Sequence, residues 1–312
     1  MTSRCTSGII VLIRKVELKE GFRLTHCFFV SDLHGSINRY RTLFSLIEEE
    51  TPDGIFIGGD ILPSGMAALA SADSPPGDFL GGFFTTELIR LKDKLAEKYP
   101  RIFIILGNDD GRFEETTMLD PTSPGIWEYI HNRRIDFGKF IVYGYSYVPP
   151  TPFQLKDWER YDVSRYVDPG CISPEEGRRS VPVSEDEKKY TTIEIDLKSL
   201  VKRDDPGKAI LLFHTPPYQT KLDRAALDEI MVDHVPLDVN VGSIAVRRFI
   251  EARQPLVTLH GHVHESARLT GSWKDRISKT YCFSAAHDGP ELALVRFDPE
   301  CPWDAQRELI RV

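Results

Sequence analysis

A chain of 312 residues, 41% of them apolar, can bury a core large enough for a large α/β domain without disulfide or metal staples. Its formal net charge of -8 argues against a nonspecific polyanion binder, which needs a basic stripe, while leaving room for a local cationic or metal site. Cys5, Cys27, Cys171, Cys282 and Cys301 are odd in number, scattered and free of any C-x-x-C pair, so neither a disulfide framework nor a zinc knuckle is expected, and a reducing cytoplasm is the expected location.

Along the chain, the apolar stretch Gly8 to Ile13 behind Arg4 is too short for a signal-peptide core, and no later run approaches the roughly 20 residues of a membrane span. Runs rich in β-branched and aromatic residues predict strands at His26 to Val30, Ile55 to Ile57, Ile102 to Leu106 and Phe140 to Tyr143. Apolar positions at three- and four-residue spacing predict helices over Ile37 to Glu50, Phe83 to Tyr99 and Ile126 to Asn132. Pro63 to Gly82, dense in Gly, Pro, Ser and Ala, reads as a surface loop. Val148 to Lys189 is long, charged and aperiodic, with "FQLKDWERYD" as a short helix; a lid over an active site and a plain surface excursion fit it equally. Further strands are expected at Thr191 to Leu197, Ala209 to Phe213, Leu256 to Leu259, Thr280 to Ser284 and Leu292 to Phe297, with a helix over Ser243 to Ala252. The early alternation implies parallel strands with crossover helices, and the strand-rich last quarter implies antiparallel additions, hence an α/β sandwich with no linker that splits residues 1–312.

One pattern recurs. "FFVSDLHG" stops an apolar run at Asp32 and His34, "GIFIGGD" ends at Asp60, "RIFIILGND" at Asn108 and Asp109, "AILLFHTPP" at His214, and "LVTLHGHVH" at His262 and His264. Each ligand-type residue falls just past the carboxyl end of an expected strand, where open α/β sheets build their sites. Glycines at 58, 59, 107 and 261 allow the tight turns that aim these side chains. Imidazoles, carboxylates and an amide form an N/O donor set without thiolate, which suits Mn, Fe or Zn rather than Ca or a structural zinc. Seven candidate ligands, Asp32, His34, Asp60, Asn108, His214, His262 and His264, exceed what one ion needs, so two ions about 3.5 to 4 Å apart, sharing Asp60, are the economical solution.

D-x-H at Asp32 and His34, G-G-D at Asp60, G-N at Asn108, a strand-terminal His214 and G-H-x-H at His262 and His264 together resemble the calcineurin-like metallophosphoesterase superfamily, in the family's order. The resemblance implies a four-layer α/β/β/α sandwich of two mixed sheets with a dinuclear centre. By position, Asp32, His34, Asp60 and His264 would hold one metal and Asp60, Asn108, His214 and His262 the other. "HTPPYQTKLD" and "VGSIAVRRFIEARQPLVTLHGHVHES" are also similar to prokaryotic, cyclic-nucleotide-phosphodiesterase-like members.

The departure is Asp109, where family members commonly carry a histidine that touches the phosphate. A carboxylate there disfavours a dianionic monoester. The expected function is therefore a binuclear metal-dependent phosphoester hydrolase acting on a small substrate, more readily a phosphodiester, through a hydroxide bridging the ions, with Asp32, Asp60, Asn108 and Asp109 as candidate catalytic residues. The alternatives are a catalytically weak scaffold of the same fold, as the family's retromer scaffold subunit is, and a nuclease of the same superfamily, which the acidic charge disfavours. Ser243 reads as a helix cap whose helix could also meet phosphate, and His287 as a surface turn near the site. Arg178, Arg179, Arg247 and Arg248 read as solvated charge, and His26, His131, His234 and His260 as structural.

Overall fold

A computed structural model describes residues 25–63, 78–120, 125–201 and 205–312. Cys5, the Gly8–Ile13 stretch and most of the Pro63–Gly82 loop lie outside the described residues. In chain order the first half runs β1 (Cys27–Val30), α1 (Ile37–Glu50), β2 (Gly54–Gly58), α2 (Thr85–Leu95), β3 (Arg101–Ile105), α3 (Glu115–Met118), β4 (Glu128–Tyr129), β5 (Arg134–Phe137) and β6 (Phe140–Tyr145). Then come α4 (Glu185–Tyr190), α5 (Ile193–Leu200), β7 (Ala209–Phe213), β8 (Met231–Val232), β9 (Val235–Pro236) and α6 (Ile244–Arg253). The chain closes with β10 (Val257–His260), α7 (Ser266–Thr270), β11 (Lys274–Ile277), β12 (Thr280–Ser284), β13 (Leu292–Phe297) and β14 (Gln306–Ile310).

Two six-stranded sheets result, ordered β14-β13-β1-β2-β3-β4 and β11-β12-β10-β7-β6-β5. In the first, β1 to β4 are parallel and β13 and β14 are added antiparallel; in the second, β12, β10, β7 and β6 are parallel between antiparallel edges β11 and β5. Both sheets are mixed, as expected.

Period-two alternation assigns the layers. Cys27, Phe29, Phe56, Phe103 and Ile105 of the first sheet face Val142, Ile210, Leu212, Val257, Leu259 and Phe283 of the second in one buried inter-sheet core. The intervening residues Phe28, Val30, Ile55, Ile57, Ile102 and Ile104 face outward and share a second cluster with Tyr40, Leu43, Phe44 and Ile47 of α1 and Leu88 and Leu91 of α2. Across the molecule, Leu211 and Phe213 join the same cluster as Ile193, Leu197, Val246 and Ile250 of α5 and α6, giving a four-layer α/β/β/α sandwich. Helix α1 begins where its pattern does because the Ser36 hydroxyl caps it, accepting the Arg39 amide.

Three local expectations are corrected. Thr191 to Leu197 is not a strand: Thr192 caps helix α5, Ile193 and Leu197 are buried one turn apart, and Ile195, which a buried strand would enclose, is 52% exposed. T-T-I-E-I-D-L satisfies both periods over so short a span. Ile126 to Asn132 is not a helix: its Glu128 and Tyr129 form β4 beside β3, where pairing with an open sheet edge outweighs a helical pattern of barely two turns. "FQLKDWERYD" stays irregular because Lys156 and Glu159 form a fully buried ion pair and Trp158 is fully enclosed, so tertiary contacts override local propensity. The expected helix over Phe83 to Tyr99 is regular only across α2, between a π turn at Phe79–Phe84 and a 3-10 turn at Ala96–Lys98. The excursion after Val148 is fastened by backbone bridges, Val148 to Glu159, Leu155 to Arg178 and Tyr161 to Thr192. No helix of the described residues is long and apolar enough to cross a membrane.

Candidate metal centre

The parallel strands β1, β2 and β3 of one sheet and β7 and β10 of the other deliver their carboxyl-end loops to one edge of the sandwich, where backbone bonds join them. The Asp32 amide donates to the Gly59 carbonyl at 3.0 Å, that of His34 to Asp60 at 2.8 Å, and that of Gly261 to His214 at 2.9 Å. Asp32, His34, Asp60 and His262 all have left-handed backbones, with φ of 57°, 45°, 51° and 73°. Such a conformation costs a non-glycine residue roughly 1–2 kcal/mol. Its concentration on candidate ligands shows what the loops are shaped to do: turn abruptly and aim a side chain. Gly59 (φ +95°) and Gly107 make room for this. A Cβ on Gly107 would lie 2.3 Å from Asp60 Oδ1, and one on Gly59 2.7 Å from His214 Nδ1.

The donor atoms converge. Asp32, His34, Asp60 and His264 each place one ligand atom within 4.8 Å of the others. His264 Nε2 stands 3.2 Å from Asp32 Oδ1 and 3.3 Å from His34 Nε2. On the other side of Asp60, His214 Nε2 lies 3.3 Å from Asp60 Oδ2 and 3.0 Å from Asn108 Oδ1. The His262 ring centroid is 5.2 Å from that of His214, and its backbone amide donates to the Asp32 carboxylate at 3.0 Å. All seven predicted ligands are thus in one cluster, and Asp60 belongs to both halves of it.

The chemistry of this set fits a cation. His214 Nδ1 faces the Gly58 carbonyl at 2.8 Å, which can only accept, so Nδ1 carries a proton, and Nε2, facing the oxygens of Asp60 and Asn108, is the atom left to hold a second proton or a metal ion. Those atoms are all electron-rich, as are the facing nitrogens of His34 and His264 beside the Asp32 carboxylate. Only a proton or a metal ion reconciles them. The titration tendencies agree: burial lowers the His214 pKa, but the Asp60 carboxylate outweighs it and raises it to about 10, a proton doing a cation's work. Burial raises Asp32 and Asp60, yet hydrogen bonding and charge from His264 hold Asp32 below the usual carboxylate range, and His214 does so for Asp60. Burial, then the neighbouring His214 charge, pushes His262 down to about 3, leaving its ring neutral and able to ligate.

Asp109 sits at the rim with its side chain 42% exposed, its carboxylate 3.7 Å from His34 Nδ1 and its amide donating to Asp60 Oδ1 at 2.8 Å. Burial and then the Asp60 charge raise its pKa. Two residues escape the sequence reading. Asp110, fully buried, accepts the amides of Ile61, Leu62 and Gly107 and ties the loop after β2 to the loop after β3. Arg39, on α1, donates to the carbonyl of Asp32. The pair Asp109-Asp110 offered a signal, since two aspartates follow Asn108 and one can face inward; Arg39 offered none.

Ser243 caps α6 as expected, but Asp162 takes the next amides, those of Ile244 and Ala245, so the helix end is closed by a carboxylate from the excursion. His287 pairs with Glu291 at 3.0 Å, Arg179 binds the carbonyls of Lys156 and Pro174, and Arg247 pairs with Glu251. His260 is buried against Phe213 with both nitrogens satisfied by Thr215 and Thr258.

Fold and donor set together define a metal-binding two-sheet α/β sandwich. The family model of the calcineurin-like phosphoesterases matches residues 26–266, and the chain belongs to that family. No curated protein sequence matches it. Among solved structures, TT1561 of Thermus thermophilus is similar in fold at 14% identity and a TM-score of 0.53, over 93% of this chain and 100% of that one. A dimetal phosphatase from Danio rerio aligns at 12% identity and a TM-score of 0.46, over 88% of this chain and 93% of that one.

Proposed function

We propose that this protein is a binuclear metal-dependent phosphoester hydrolase that favours phosphodiesters. The observation that carries the reading is the convergence of Asp32, His34 and His264 on one side of Asp60 and of Asn108 and His214 on the other, with the His262 ring beside that of His214. We assign Asp32, His34, Asp60 and His264 to one ion and Asp60, Asn108, His214 and His262 to the other, with Mn, Fe or Zn as the ions that suit N/O ligands lacking thiolate. When bound, such ions neutralise phosphate charge and lower the pKa of water.

The chain's own contribution is pre-organisation. The Gly58 carbonyl fixes the His214 tautomer, the His262 amide orients Asp32, and the Asp109 amide orients Asp60. The Asp109 carboxylate at the rim repels a phosphate dianion more than a monoanion, which supports the preference for diesters. Free Cys27, Cys171, Cys282 and Cys301 suit the reducing cytoplasm we assign to it. Elemental analysis of protein purified without chelator, paired with hydrolysis of a chromogenic diester and monoester before and after chelation, tests the reading. Two ions per chain and chelator-sensitive diester hydrolysis are expected; less than one ion per reconstituted chain, with no hydrolysis, would move the assignment to a scaffold.

A further inference from the structure

Arg39 is half-buried in the first turn of α1, and its guanidinium binds three backbone carbonyls. One nitrogen donates to the Asp32 carbonyl at 3.0 Å, the second to the Gly289 carbonyl, and Nε to the Pro290 carbonyl at 3.4 Å. The carbonyls belong to two loops remote in sequence, the one after β1 that carries Asp32 and His34, and the one between β12 and β13. That second loop is held independently at its far side, where Arg268 pairs with Asp288 at 2.7 Å and Arg307 donates to the Ala286 carbonyl.

We propose that Arg39 is a positioning residue for the metal centre, holding the left-handed backbone of Asp32 so that its carboxylate meets His264; this rests on the metallohydrolase reading above. The physical case has three parts. The Asp32 backbone, at φ 57°, is one that a non-glycine residue abandons unless its surroundings hold it. The Asp32 amide is already committed to Gly59, so its carbonyl is the remaining backbone handle, and Arg39 grips it. A planar fork bonded to three carbonyls anchors that handle to a second, separately fastened loop, a geometry that the single nitrogen of a lysine cannot reproduce.

Mn(II) binding, read from the electron paramagnetic resonance signal of free Mn(II), and the melting temperature of chelated protein separate positioning from plain structural support. Arg39→Met keeps much of the aliphatic stem and removes the fork. It is expected to weaken the site at Asp32 by about 10- to 100-fold, the usual effect of losing a group that orients a ligand, while the metal-free melting temperature moves little. Arg39→Lys should recover part of the affinity. Arg268→Met, which removes one of the two fastenings of the same neighbouring loop without touching Asp32, should weaken Mn(II) binding far less than Arg39→Met does, because Arg307 still holds that loop. Unchanged affinity in Arg39→Met, or an equal loss in Arg268→Met, overturns the proposal. A parent protein that binds no Mn(II), Fe(II) or Zn(II) overturns instead the metallohydrolase reading on which it rests.

Discussion

Asp110→Ala offers a quantitative test of how the two ligand-bearing loops are held. Asp110 is fully buried, and its carboxylate accepts the amides of Leu62 at 2.9 Å, Ile61 at 3.2 Å and Gly107 at 2.8 Å. Burial, then the Asp60 charge, pushes its pKa up to about 8, yet its side-chain partners among the described residues are all donors, so the geometry argues for the ionised acceptor. Alanine leaves three buried amides without a partner. At about 1–3 kcal/mol for each unsatisfied group, and with water entering to recover part of the loss, the expected destabilisation is about 3–6 kcal/mol. That is a large share of the roughly 5–15 kcal/mol that holds a domain together. Asp110→Asn keeps one acceptor oxygen but turns an amide NH₂ toward donors, and should fall between parent and alanine. Urea denaturation of chelated protein at pH 7, followed by tryptophan fluorescence, measures the difference. Metal content should fall as well, because the loop that Asp110 holds at Ile61 and Leu62 also carries Asp60. A loss below about 1 kcal/mol in Asp110→Ala, with metal content intact, would show that the loops are held by something else.

The other predictions concern the ligands, the rim and a buried imidazole. Asp60→Ala should lose both ions, since only this carboxylate belongs to both halves of the cluster, whereas His264→Ala should mainly weaken one; elemental analysis that finds normal metal in Asp60→Ala refutes the shared role. Asp109→His should raise kcat/KM for a monoester more than for a diester, by at least about tenfold of the 10² to 10⁴ that a proton donor typically contributes, and a change below tenfold for both substrates means that Asp109 points away from the phosphate. His131, buried against Trp158, accepts the Ser146 amide at Nδ1, and burial pushes its pKa from the ordinary 6.5 to about 3. Between those pH values the unfolded chain binds a proton that the folded chain refuses, so stability falls on acidification at up to about 1.4 kcal/mol per pH unit, or about 2 kcal/mol from this group at pH 5; His131→Gln should show a drop between pH 7 and 5 smaller by that amount, and an identical drop refutes the assignment.

The uneven legibility of this chain has a physical cause. Parallel strands buried on both faces must be apolar throughout, so "RIFIILGND" and "AILLFHTPP" announce the strand, its end and the candidate ligand in one reading, and α1 is legible because its 3.6-residue pattern and Ser36 cap coincide. The edge strands β5, β11 and β14, reading RIDF, KDRI and QRELI, carry charges because an exposed edge must repel further pairing, and that same protection erases the apolar signal by which a strand is recognised. Within the site the divide falls between residue type and residue partner. Asp32 and His264 are recognisable by type, but their 3.2 Å approach spans 232 positions and follows from the registers of two separate sheets. Asp109 and Asp110 are the same residue type side by side, and only the turn closed by the Asp110 amide on the Gly107 carbonyl decides which carboxylate is exposed at the rim and which is buried on the loops beneath it. Residues of the donor cluster declare themselves by chemistry, whereas residues that hold their loops, Asp110 and Arg39, use bonds to backbone atoms that every residue possesses, and so leave no motif to read.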